Sequence, residues 1–149
     1  MLKIKKILCP TDFSEPSLKG LEVGVDLATL FKAKLDVIYV LPILPATAKD
    51  ANLQFAIPEY ERMIHIDAEQ QLQAVVSQRV SKNLKTRTLI GHGNPAHEIV
   101  RLAQEEKADL IVIATHGHTG FHHLVVGSVA EKVIRLAPCP VLAVREPRK

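Results

Sequence analysis

Hydrophobic residues in this chain alternate between two rhythms. Five short runs, Ile4 to Cys9, Leu35 to Leu41, Thr86 to Ile90, Leu110 to Thr115 and Val141 to Val144, are rich in aliphatic and β-branched residues. Their length predicts strands, and the near-continuous apolar ones suit a sheet covered on both faces. Between the runs, apolar positions recur three and four apart, as on one face of a helix. Leu18, Leu21, Val25 and Ala28, continued by Phe31, mark a first helix that Lys32-Ala33-Lys34 ends. Met63, Ala68, Leu72 and Val75-Val76 mark a second, from Pro58 to about Ser81. Ile99, Val100 and Ala103 mark a third, and Ser128 to Ala137 a fourth. Ser14 stands where an N-cap belongs, with Pro16 in the turn that follows. Only Pro42 to Ile57 lacks a period, and it reads as an exposed excursion.

Strict alternation of strand and helix predicts an α/β three-layer sandwich, a five-stranded parallel sheet with four main helices. Parallel strands need crossovers, and right-handed crossovers place helices on both faces. An order 3-2-1-4-5 would reverse the winding between the first and fourth strands, and ligands bind beyond the strand ends at such a point. Asp12 would then face the loop that begins near Gly117. The last strand, Val141-Leu142-Ala143-Val144, is wholly apolar although a terminal strand commonly lies at an edge. Pairing with a second copy would cover it, so a homodimer through this strand is expected, with burial under a helix as the alternative.

At 149 residues the chain has the length of one domain, and residues 1–149 are read as such. Tryptophan is absent, so aliphatic side chains must fill the core. A net charge of +3 without a basic stripe or interleaved aromatics argues against a nucleic-acid partner. No stretch approaches membrane-spanning length, which argues against a membrane partner too. The apolar run in MLKIKKILCP is too short for a secretion signal, and Cys9 and Cys139 form no disulfide framework. The expected location is cytoplasmic.

The chemistry concentrates after the fourth strand, in Ala114-Thr115-His116-Gly117 and, nine residues later, Gly127-Ser128. Strand, glycine loop and helix start is the order in which a backbone makes an anion site, because helix N-termini offer unpaired N–H groups. A loop shaped by glycines with Ser128 as a simple cap fits the spacing equally well. Gly91-His92-Gly93-Asn94-Pro95-Ala96 fits a dinucleotide fingerprint locally, but it follows the third strand and a tight turn explains it. No G-x-x-x-x-G-K-[ST] or G-x-S-x-G motif occurs, and no base to activate water is identifiable. His116, His118, His122 and His123 are read first as a solvated loop, second as neighbours of a phosphate and third as weak metal candidates.

The segments Ile7 to Ser14, Gly93 to Val100, Ala114 to Glu131 and Pro138 to Leu142 together resemble the universal stress protein family. The resemblance spans nearly the whole chain, apart from Pro42 to Val80. It implies an α/β sandwich that dimerises through its last strand and, in members carrying G-x2-G-x9-G-[ST], binds ATP. Carried onto this sequence, it implies that Asp12, with Pro10 and Thr11 before it, faces the ribose or adenine. Val40 would hold adenine through its backbone. Gly117, Gly127 and Ser128 would hold phosphates, Val129 would add a backbone contact, and Ala114 and His116 would flank them. The sequence departs from the pattern at its first glycine, which here is Ala114. The implied ligand is ATP or AMP, with or without Mg, in a regulatory role in a cytosolic stress-response protein. A nucleotide-independent interaction dimer and a slow ATPase or phosphotransferase are the alternatives, and protein partners are not specified.

Overall fold

Five parallel strands in the order β3-β2-β1-β4-β5 form the centre of the molecule. In chain order the elements are β1 (Lys6–Pro10), α1 (Glu15–Phe31), β2 (Lys34–Leu41), α2 (Ile57–Arg79), β3 (Thr86–His92), α3 (Pro95–Glu105), β4 (Leu110–Ala114), α4 (Ser128–Leu136) and β5 (Val141–Val144). This computed structural model describes residues 1–43, 57–117 and 126–146. Most of the excursion expected from Pro42 to Ile57 lies outside the described residues, as do Gly120, His118, His122 and His123.

Side-chain alternation along the buried strands divides the core into two layers. Ile7 and Cys9 of β1, Leu35 and Val37 of β2 and Val112 of β4 pack with Leu21 of α1 and Leu72 of α2. Leu8, Ile38, Ile111 and Ile113 point to the opposite face, where Ile99 of α3 and Val133 of α4 cover them. A one-residue slip of any central strand would exchange these sets, so two-sided burial fixes the register. The pairs Ile7↔Leu35, Ile7↔Leu110 and Ile111↔Val141 record it.

The helix starts follow local chemistry. Ser14 caps α1 by accepting from Ser17 N, and Asn94 caps α3 by accepting from His97 N. The α1 C-cap is Lys32, in the left-handed region at φ 54°, and its N–H closes onto the carbonyls of Ala28 and Thr29. Two expected core positions are corrected: Phe31 and Met63 are exposed. Phe31 lies past the last buried residue of α1, Ala28, and Met63 precedes the first buried residue of α2, Ala68. Boundaries also shift: β1 begins at Lys6 rather than Ile4, α2 ends at Arg79, and β3 runs on through Gly91 to His92.

At the N-terminal ends of the strands, buried Asp36 takes two hydrogen bonds from Arg87 at 3.1 and 2.8 Å. The same guanidinium reaches Glu106. Hydrogen bonding from Arg87 draws the Glu106 carboxyl below the usual glutamate range, and the two carboxylates raise the Arg87 pKa in turn. Asp109 accepts from the backbone N–H groups of Lys5 and Lys6 at 2.8 and 3.0 Å, fixing the entry to β1. These charges therefore serve the end of the sheet opposite the strand C-termini.

Candidate functional site

Strand β1 pairs with β2 on one side and β4 on the other, so the chain's winding reverses between β1 and β4. Beyond their C-terminal ends lies a cleft of about 310 Å³. That volume is at the small end of the range typical of small-molecule sites. All ten residues expected at a nucleotide site border it. Pro10, Thr11 and Asp12 come from β1 and its turn, and Val40 from β2. Ala114, His116 and Gly117 follow from β4, while Gly127, Ser128 and Val129 open α4.

The β1 side is a tight polar turn. Thr11 N donates to Ile38 O at 2.8 Å, which extends the β1–β2 pairing by one residue. Phe13 takes φ 66°, and its ring lies 4.6 Å from that of Tyr39 between centroids. This reversal turns the chain from strand into helix and leaves Asp12 at the cleft. Ser14 donates to Asp12 Oδ1 from its backbone N–H at 3.0 Å and from its hydroxyl. Asp12 is thus a turn residue through one oxygen. Its Oδ2 is directed at Gly117, where any Cβ would overlap it. Glycine at 117 is what admits the carboxylate. Asp12 N in turn donates to Ser17 Oγ at 3.3 Å, and Ser17 Oγ lies 2.9 Å from Thr11 Oγ1.

Across the cleft, β4 passes into the loop before α4. The two ends of that loop are tied by Gly127 N donating to Thr115 O at 2.6 Å. A Cβ at Gly127 would stand 2.9 Å from the same carbonyl oxygen, inside contact distance. Gly127 is the N-cap of α4, and among the described residues no side chain caps the helix N–H groups there. Helices α1 and α3, by contrast, are capped by Ser14 and Asn94. The first N–H groups of α4 and the positive end of its dipole therefore open at the cleft, an arrangement suited to an anion. His116 Nδ1 lies 2.9 Å from Thr115 Oγ1, which orients the imidazole at this end.

The rest of the lining is largely apolar: Ile38, Pro95, Ile99, Ile113 and Ala130. Among the described lining residues Asp12, Tyr39 and His116 carry ionisable side chains, and none is a lysine or arginine. Burial raises the Tyr39 phenol pKa, and the nearby Asp12 charge adds to the rise. The cleft thus joins an apolar slot to a pole of backbone N–H groups, with one carboxylate between them.

Ser17 and Tyr39 border the cleft although the sequence did not single them out. Ser17 follows the Ser14 cap by one helical turn, and Tyr39 precedes Val40, so each stood beside a residue already chosen. Gly91 is a strand residue of β3 rather than part of a turn, whereas Gly93, at φ 121°, makes the turn and donates its N–H to Leu41 O at 2.8 Å. Neither borders the cleft. His92 joins His65 of α2, with ring nitrogens 3.0 Å apart. Among the described residues no group of three or more His, Cys, Asp or Glu is arranged to hold a metal. No described helix is long and apolar enough to cross a membrane. Cys9 is buried, which raises its thiol pKa, and Cys139 is partly buried.

Comparison with known proteins agrees with this architecture. The model of the universal stress protein family matches residues 3–145. The universal stress protein MJ0531 of Methanocaldococcus jannaschii is 37% identical over 145 residues, covering 97% of this chain and 84% of its own. The solved structure of MJ0577, a universal stress protein of the same organism, aligns with a TM-score of 0.84 at 28% identity over 99% of both chains. A universal stress protein of Archaeoglobus fulgidus, solved in complex with dAMP, shares the fold at a TM-score of 0.65 and 23% identity, over 96% of this chain and 98% of its own. With strand order, helix placement and a near full-length family match in agreement, the chain belongs to the universal stress protein family.

Proposed function

We propose that this protein is a cytosolic stress-response regulator that binds an adenine nucleotide, ATP or AMP, at the β1–β4 cleft. The observation that carries this reading is the uncapped N-terminus of α4 facing Asp12 across an apolar slot, with Gly117 and Gly127 keeping the backbone clear. The base lies toward Val40 and Pro95, the ribose toward Asp12, and the phosphates at Gly117, Gly127 and Ser128. ATP brings its Mg ion with it. The dAMP bound to the Archaeoglobus fulgidus relative supports an adenine nucleotide as the ligand class.

The role is regulatory rather than catalytic. Among the described residues no lysine or arginine borders the cleft to neutralise charge developing on a transferred phosphoryl group. Bound nucleotide acts by favouring the conformation that holds it more tightly. Purified protein, denatured and analysed by mass spectrometry, is expected to release AMP or ATP. Calorimetric titration of the emptied protein with ATP is expected to give heat that Asp12→Ala diminishes about ten-fold in affinity, as loss of a hydrogen bond from a charged group does. Neither carried-over nucleotide nor heat would leave the interaction-dimer reading. Sustained phosphate release abolished by Asp12→Ala would establish the slow ATPase instead.

The assembly is a homodimer through β5. Among the described residues this strand bonds β4 along one edge only, and Leu142 is 40% exposed. Ile134 and Leu136 of α4 are also exposed. Leu142→Glu places a charge at that edge, and light scattering is expected to report a monomer where the unmodified protein is a dimer. A variant that stays dimeric would move the interface elsewhere.

A further inference from the structure

Ala114 occupies the position where the nucleotide-binding pattern has its first glycine, and its methyl has to go somewhere. Alternation along β4 sends Ile111 and Ile113 to the α3–α4 layer and Val112 to the α1–α2 layer. Ala114 continues that alternation and turns its methyl toward α1. Gly20 of α1 is buried there, so close that a Cβ on it would stand 3.2 Å from Ala114 N and 3.5 Å from Ala114 Cβ. The first distance is tighter than most real Cβ contacts, and Ala114 is held in the sheet by its pairing with Val144 of β5. Gly20 is also one turn beyond Ser17, whose hydroxyl meets Thr11 and accepts from Asp12 N. The depth at which α1 sits on β4 therefore sets both walls of the cleft.

We propose that Gly20, which does not border the cleft, is a positioning residue for it, because a residue without a Cβ lets α1 lie this close to the backbone N of Ala114. The proposal rests on the nucleotide reading for its effect on affinity, while its geometric part stands apart from it. A methyl at 20 must push the Ala114–Gly117 segment toward the cleft or lift Ser17 away from Thr11. Either movement separates Asp12 from the α4 N-terminus.

The test uses the full chain with Gly20→Ala, and with Ala28→Gly as a control. Ala28 is buried on the same helix two turns farther on, away from the cleft, and its replacement lowers stability without adding bulk. Each protein is titrated with ATP well below its melting temperature, and backbone amide spectra are recorded without nucleotide. Gly20→Ala is expected to weaken ATP binding about ten-fold, the scale of a modest misplacement at a site. It is also expected to shift the amides of Ala114 to Gly117. Ala28→Gly is expected to stay within about two-fold of the unmodified affinity. An unchanged affinity in Gly20→Ala, or equal weakening in Ala28→Gly, would overturn the proposal. If the unmodified protein gives no heat with ATP, the nucleotide reading fails. The amide shifts then decide the positioning role: movement in Gly20→Ala alone supports it, and no movement overturns it.

Discussion

Gly127→Val is expected to reduce ATP affinity by about a hundred-fold, the scale on which misplacement near 1 Å disables a site. The reason is steric. Gly127 has φ −68°, an ordinary backbone angle, so valine meets no dihedral penalty. It meets Thr115 O, which would lie 2.9 Å from the new Cβ and already accepts Gly127 N at 2.6 Å. A carbonyl at the end of β4 cannot retreat without disturbing the hydrogen bond of Thr115 N to Val144 O at 2.9 Å. The start of α4 moves instead, and the N–H groups proposed to hold phosphate leave Asp12 and Gly117. Calorimetry with ATP reads the loss, and circular dichroism checks that the fold survives. Full affinity in a folded Gly127→Val protein would remove the α4 N-terminus from the phosphate site.

The second expectation concerns the layer between α1 and β1. Gly24→Ala would normally stabilise a helix by ~1 kcal/mol. Here the methyl would fall on Cys9 Sγ, fully buried in β1, with Leu35 Cδ1 3.8 Å away. Overpacking of this kind costs about 1–3 kcal/mol, so a net loss is expected. Cys9→Ala alone leaves a small void and costs ~1 kcal/mol. The double variant places the alanine methyl where the sulfur was and is expected to approach the unmodified stability, so the two changes couple rather than add. Urea unfolding of the four proteins measures that coupling. Losses that simply add would show that α1 moves away from the sheet rather than pressing on Cys9.

The pairing of Gly24 with Cys9 illustrates what was legible and what was not. Periodicity placed Leu18, Leu21 and Ala28 on the buried face of α1, and they are buried. The same face included Phe31, which is exposed because the helix runs past the core there. A period describes a face without an end. Likewise the glycines of 117 and 127 were recognised as one site through an ordered motif, whereas Gly20 and Gly24 are mid-helix residues with no local signal. Their meaning lies in Ala114 and Cys9, on other elements. The histidines divide similarly: His116 joins the cleft, while His92 meets His65 on α2.

By itself the sequence determined the element types, the parallel sheet and the family, because these rest on patterns repeated along the chain. Residues two apart share a strand face, residues three and four apart share a helix face, and caps lie beside what they cap. Only the tertiary structure decided which oxygen of Asp12 serves the turn and which faces Gly117. It also decided where the methyl of Ala114 goes and that the start of α4, unlike the side-chain-capped starts of α1 and α3, opens at the cleft. Those facts depend on distances between segments a hundred residues apart, set by the depth of helices on a sheet, and no local pattern encodes that depth.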